Sequence, residues 1–320
     1  MLITLSGWVP RELICLTYQA EWSYKYETQW PGVCRAGELQ SPINIMTRSA
    51  VVDYHEAHIR GPLGFRGYGD VKVAASNNGH TLKWSNIPDT PAPIVSGGPL
   101  RGNYTFLQFH LHWLSEHAID GMKYPLEIHM VHIKTGLSVE EALKRPDGLA
   151  VMGVMGMVHS GGNSEYALDQ IMPVIPDLMD RTEKDIEEKT IDMTRLFSPD
   201  PQSYYTYHGS LTTPNCQEVV TWIVMDKPLM ISDSQYKMLL EVNVGARNNY
   251  RSLQATNRVV YRSVASCSAI IMPSLASTLI SLMVCLSSTI SAGVKKGICI
   301  ITSFKKKFLR YDLPDCSKFQ

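Results

Sequence analysis

Two short runs, Gln108-Phe109-His110-Leu111-His112-Trp113 and Glu127-Ile128-His129, hold side chains able to bind a transition metal. Side chains alternate across a strand with period two, so Gln108, His110 and His112 share one face of a first strand. Glu127, His129 and Val131 share one face of a second. Three neutral imidazoles suit Zn²⁺, and three protein ligands leave a fourth position open to water, as in catalytic rather than structural zinc sites. A ligating histidine donates its other ring N–H to an acceptor. Gln108 and Glu127, each two residues from a ligand, are the expected acceptors. An H-x-H with a later histidine also recurs by accident in half-buried hairpins; the two matched acceptors weigh against that reading.

The elements that must carry these residues read as strands. Runs at Val71–Ala75, Thr81–Trp84, Tyr104–Trp113, Leu126–Lys134, Ala150–Val158 and Val219–Met225 are separated by Gly, Pro and Asn clusters such as Asn77-Asn78-Gly79. Helical signals are confined to Ser138–Lys144 and to Ser232–Val242, which opens on a Ser/Asp cap. The expected fold is mainly β (α+β): one domain over residues 21–262, a large and mostly antiparallel sheet with short peripheral helices. No low-complexity linker, charge block or repeat divides it.

The chain has 320 residues and no formal net charge, which gives no support for a nucleic-acid partner. Seven cysteines, widely spread and without a CxxC pair, are neither a disulfide scaffold nor a structural zinc motif. Residues 263–294 carry no charge, and the stretch from Ile270 is longer than the about 20 residues a bilayer span needs. Basic residues Lys295, Lys296, Lys305, Lys306, Lys307 and Arg310 follow, so 263–294 reads as a transmembrane segment and 295–320 as a cytoplasmic tail. The alternatives are a buried core helix, or a lipid-anchor signal with Ser263, Ala265 and Ser266 as the small-residue site. A polar basic end after the apolar run is unlike such a signal. Residues 1–20 form at best a weak signal peptide, since Pro10, Arg11 and Glu12 interrupt the apolar run.

Beyond the histidine strands, the chain carries Gln40-Ser41-Pro42-Ile43-Asn44-Ile45, Asn77-Asn78-Gly79-His80, Ser115-Glu116-His117, Tyr207-His208-Gly209-Ser210-Leu211-Thr212-Thr213-Pro214 and Asn249-Tyr250-Arg251. In this order the motifs resemble the alpha-class carbonic anhydrases, in particular the membrane-bound and extracellular members, from Trp22 to about Arg251. The resemblance implies a twisted, mainly antiparallel sheet with zinc at the base of a conical cleft. It implies reversible hydration of carbon dioxide to bicarbonate and a proton, with His110, His112 and His129 as ligands. Thr212 would accept a hydrogen bond from the attacking hydroxide and donate to Glu116. The matching pocket residues are Val131, Val151, Leu211, Thr213, Val220 and Trp222. His80 matches the proton shuttle, and Tyr24 and Asn78 fall where the family orders shuttle waters. His117 and His132 match buried structural histidines, while His55, His58, His159 and His208 match no catalytic role. Cys34 and Cys216 match a disulfide of secreted members, which implies an oxidising compartment and an external catalytic domain at the cell membrane. Asn103-Tyr104-Thr105 is a glycosylation sequon at the mouth of a core strand, and is expected to be unused.

One departure bears on mechanism. Trp113 is followed directly by Leu114-Ser115-Glu116, several residues shorter than the family pattern, so the placement of Glu116 and its relay with Thr212 is at stake. Two function classes follow: a zinc lyase, favoured because all three histidines, Thr212 and His80 are kept, and a non-catalytic cell-surface binding module. Nothing in the sequence specifies an oligomeric state.

Overall fold

Residues rich in β-branched and aromatic side chains, cut by Gly, Pro and Asn, form a large twisted sheet. The computed structural model describes residues 22–53, 58–160, 166–181 and 186–263. The signal-peptide reading of 1–20, nearly all of the charge-free run 263–294 and the basic tail lie outside the described residues. Among those described, no helix is long and apolar enough to cross a membrane.

In chain order the strands are β1 (Asn44–Ile45), β2 (Val51–Val52), β3 (Leu63–Arg66), β4 (Val71–Asn77), β5 (Leu82–Asn86), β6 (Ile94–Gly97), β7 (Tyr104–His112) and β8 (Ala118–Ile119). Then come β9 (Leu126–Lys134), β10 (Leu149–His159), β11 (Ile186–Ile191), β12 (Tyr204–Gly209), β13 (Val220–Met225), β14 (Leu229–Ser232) and β15 (Tyr261–Arg262). The main path runs β11-β4-β5-β7-β9-β10-β13-β12-β15-β2, with β14 beside β10 and β6 joining β3 to β7. The sheet is mixed: most neighbours are antiparallel, while β10–β13, β10–β14 and β15–β2 are parallel. β1 and β8 form a separate parallel pair.

The six sequence-predicted strands all form, with ends shifted by one or two residues. β3, β6, β11, β12 and β14, and the two-residue strands β1, β2, β8 and β15, were not expected. β11 (Ile-Glu-Glu-Lys-Thr-Ile) is the terminal strand of the path, where charged residues blunt an open edge and so disguise the strand pattern. The helices are short: α1 (Val33–Ala36), α2 (Val139–Ala142) and α3 (Asp233–Leu240). α2 and α3 each start with a capping box, Ser138 with Glu141 and Ser232 with Gln235, which satisfies backbone N–H groups that a first turn leaves unpaired.

Alternation divides the apolar residues between the two faces of the sheet. Ile128 and Met130 of β9 join a core with Phe106, Phe109 and Leu111. Val131 and Ile133 of the same strand join Val151, Val220 and Trp222 in the second. Centrally placed β9 is buried along all but its last residue, as expected for a strand covered on both faces.

Candidate metal centre

The antiparallel register of β7 and β9 sets His110 opposite His129 and His112 opposite Glu127. The three imidazoles meet at ring-centroid separations of 4.9, 5.2 and 4.6 Å. One nitrogen of each ring has an acceptor-only partner. His110 Nδ1 is 3.0 Å from Gln108 Oε1, His112 Nδ1 is 2.5 Å from the main-chain oxygen of Asn249, and His129 Nε2 is 2.8 Å from Glu127 Oε1. A carbonyl or carboxylate oxygen can only accept, so the ring nitrogen facing it carries the proton. The lone pairs are thereby left on Nε2 of His110, Nε2 of His112 and Nδ1 of His129.

These residues fit a metal ion. One ring nitrogen from each lies within 4.8 Å of the others. His112 Nε2 is buried without a hydrogen-bond partner, a cost that coordination would relieve. Burial, followed by the neighbouring His112 and His129, holds His110 well below the ordinary histidine range. Burial also lowers His112, against the pull of Glu116. Both rings are therefore neutral, as ligation requires. For Glu127, burial pushes the carboxyl up, but His117 and His129 outweigh it and hold the group well below the usual carboxylate range. Gly153 of β10 lies opposite His129. A Cβ there would come 2.8 Å from Glu127 Oε1, so the buried carboxylate needs a glycine beneath it.

His117, Glu127 and His129 form a second close group. Here, however, His117 Nδ1 and His129 Nε2 both face Glu127 Oε1 at 2.8 Å, and His117 N–H donates to Oε2 at 2.9 Å. The ring nitrogens that face Glu127 carry protons and its oxygens accept them, which makes this cluster a brace rather than a second site. Its far end continues from His117 Nε2 to the Tyr207 hydroxyl at 2.5 Å and on to Ser41 Oγ at 3.1 Å. His132 is equally buried, against the Tyr68 hydroxyl at 2.7 Å, and its pKa is lowered to about 4 by burial.

Despite the short connection after Trp113, Glu116 sits at the centre. Its Oε1 accepts the Arg251 N–H at 2.7 Å. Its Oε2 is 3.6 Å from His112 Nε2 and 3.8 Å from His129 Nδ1, buried and without a hydrogen-bond partner. Ser115 fixes the tight turn, its Oγ donating to the His117 oxygen at 2.6 Å and accepting the Tyr124 N–H at 2.9 Å.

His110 and His129 line a cleft of about 800 Å³, with His112 fully buried behind them. Val131, Val151, Leu211 and Trp222 line one side; Val220 is buried behind that wall, packed in the same cluster. Tyr24, Asn78, His80, Thr212 and Thr213 also line the cleft, as do Lys83 and Arg181. The His80 ring stacks on Trp22 at 3.8 Å, and the main-chain N–H of His80 donates to Asn78 Oδ1 at 2.9 Å. Burial comes first in raising the Tyr24 pKa, so the phenol stays protonated. A disulfide joins Cys34 to Cys216, which follows closely on Thr212. Tyr24, Trp30 and both cysteines form a small apolar cluster beneath this loop.

Asn249 and Arg251 had no role in the sequence reading, although their segment was matched. Asn249 Oδ1 accepts the Trp113 N–H, its Nδ2 donates to the Leu111 oxygen, and its own carbonyl orients His112. The partners are 136 to 138 residues apart in sequence, so no local spacing could reveal them. Trp22 and Lys83 were likewise missed. Lys83 lies opposite His110 on the neighbouring strand, and only a β5–β7 pairing would have found it.

Comparison with known proteins agrees with this geometry. The family description "Eukaryotic-type carbonic anhydrase" matches residues 18–264. Putative carbonic anhydrase 5 of Caenorhabditis elegans is 36% identical over 247 residues, which cover 71% of this chain and 76% of that protein. Human carbonic anhydrase 3 is 33% identical over 241 residues, covering 70% and 89%. Human carbonic anhydrase 7 is 34% identical over 207 residues, covering 62% and 75%.

Proposed function

The chain belongs to the eukaryotic-type carbonic anhydrase family and is an enzyme of that kind, and from that premise we propose that it hydrates carbon dioxide reversibly at a single zinc ion held by His110, His112 and His129. The observation that carries this is the convergence of three ring lone pairs, each fixed by an acceptor on the opposite nitrogen. When bound, zinc supplies Lewis-acid activation that makes a water nucleophilic near neutral pH.

The chain's own residues account for the rest. Val131, Val151, Leu211 and Trp222 give carbon dioxide a wall with few polar groups, where a nonpolar molecule displaces poorly held water. Glu116 Oε2 is a buried acceptor in need of a donor. The Thr212 hydroxyl is proposed as that donor, which fixes its own oxygen as the acceptor for the attacking nucleophile. His80, at the cleft wall, is proposed to carry the released proton outward, with Tyr24 and Asn78 ordering the intervening water.

A membrane-attached, external catalytic domain is part of the same proposal. The Cys34–Cys216 bridge supports an oxidising compartment, and the charge-free run with its basic flank supports a span. Stopped-flow carbon dioxide hydration by the full chain, after zinc removal and again after one equivalent is restored, tests the activity. Hydration that disappears and returns with the metal is expected. Restored zinc without hydration would favour the binding-module reading instead.

A further inference from the structure

Away from the metal, a second cavity of about 320 Å³ opens where β12, β13 and β15 meet the segment around His58. Tyr207 and Trp222 are paired across β12 and β13, and Trp222 faces the histidine cleft. Thr206 and His208 alternate with Tyr207, and Thr221 pairs with His208, so these three point to the opposite face of the sheet. The cavity thus lies across the sheet from the metal centre, with the Tyr207 ring, 5.4 Å from the Arg258 guanidinium, as the one side chain among the described residues that reaches both it and the His117 brace.

Its lining is cationic. Arg60, Arg101, Arg258, His58 and His208 surround it, and none of the described lining residues is acidic. Arg258 is held in place by neutral acceptors: its Nη1 donates to the His208 oxygen and its Nη2 to the Gln40 oxygen, both at 2.6 Å, and its Nε to Thr256 Oγ1 at 3.0 Å. Its charge is therefore fixed by hydrogen bonds that do not neutralise it. Three carboxylates among the described residues act on or adjoin this lining, and each has other partners: Asp53 accepts from the His58 and Ile59 N–H groups. Glu218 accepts from the Leu39 N–H and from Gln40 Nε2, and Asp147 pairs with Lys134 and Arg145. On the floor, Thr206 is only 2% exposed and its hydroxyl is buried without a hydrogen-bond partner. An orphaned hydroxyl beneath fixed positive charge calls for a ligand with several acceptor oxygens and negative charge. The cavity has the size of a small-molecule site rather than of a lone ion.

We propose that this cavity binds a phosphate group carried on a small organic body, with Thr206 donating to it from the floor and Arg101 and Arg258 pairing with it at the rim. The phosphate could come from a soluble phosphomonoester or from a lipid headgroup, and the chemistry of recognition is the same. The test uses the full chain with two probes. Phenyl phosphate binding is measured by equilibrium dialysis, and co-sedimentation is compared for phosphatidylcholine vesicles with and without phosphatidic acid. Arg101→Ala should weaken phosphate-dependent binding about tenfold, the scale of a lost charge-assisted hydrogen bond. Thr206→Val should weaken it several-fold while keeping the side-chain shape. Carbon dioxide hydration, across the sheet, should be unchanged in both and serves as the check on folding. Loss in the dialysis arm assigns a soluble ligand; loss only in the phosphatidic acid arm assigns a lipid. Binding that is equal in wild type and both variants, or absent from wild type with both probes, overturns the proposal.

Discussion

His110, His112 and His129 ride on adjacent central strands, whereas Thr212, Thr213 and His80 sit on turns outside the strands. On the strand side, period-two alternation and one register place all three histidines; Gln108 and Glu127 anchor His110 and His129 from the same strands, and only His112 is anchored from afar, by the Asn249 oxygen. On the loop side, position depends on contacts outside the sheet: the Cys34–Cys216 bridge and the Gln40 side chain donating to the Cys216 oxygen, and for His80 the Trp22 stack and the local Asn78 turn. The first half should therefore govern whether metal binds, and the second how well the bound metal is used.

His112→Ala separates the two most sharply. Removing the buried ligand should abolish stoichiometric zinc binding and with it all zinc-dependent hydration, read by metal analysis and stopped flow on one sample. Retained zinc would mean that the strand half does not define the site. Thr212→Val should leave zinc at one per chain and lower kcat/KM by about 10²- to 10³-fold, the range for losing one oriented hydrogen-bonding group. A Thr212→Val variant that also loses zinc would erase the distinction between the halves.

Opening the Cys34–Cys216 bridge, by Cys34→Ser with Cys216→Ser, should cost about 2–4 kcal/mol of stability while zinc affinity holds. Calorimetry against metal titration measures both. A large fall in zinc affinity would show that the loop reaches the ligands. The smallest effect concerns buried His132, whose pKa is lowered to about 4 by burial. The unfolded chain takes up a proton near the ordinary value of 6.5 that the folded chain refuses. Its contribution is therefore fully present above that value and is lost as pH falls towards 4, by up to about 3 kcal/mol. His132→Gln should flatten that limb of the stability-versus-pH curve; an unchanged slope would contradict the assignment.

The same contrast explains what could be read in the sequence. Gln108 and Glu127 were legible as acceptors because each is two residues from its histidine, and alternation does the rest. Asn249, which orients His112, was not, because its main-chain oxygen meets that ring only after β7 has packed against the chain's last third. The long, strongly patterned strands β7, β9 and β10 were found almost to their ends. β12 was overlooked because Tyr-Tyr-Thr-Tyr-His-Gly is buried along most of its length and shows no polar alternation. Glu116 teaches the converse. The shortened connection put it at stake in the sequence, yet Ser115 and Arg251 hold it beside the ligands.

The most direct test of the central claim is zinc K-edge X-ray absorption on the full chain loaded with one equivalent of zinc. The tautomers fixed by Gln108, Asn249 and Glu127 predict three imidazole nitrogens at about 2.0 Å and one further light-atom ligand, in tetrahedral geometry. Fewer than three imidazoles, or a sulfur neighbour, would contradict the assignment of His110, His112 and His129 as the metal centre.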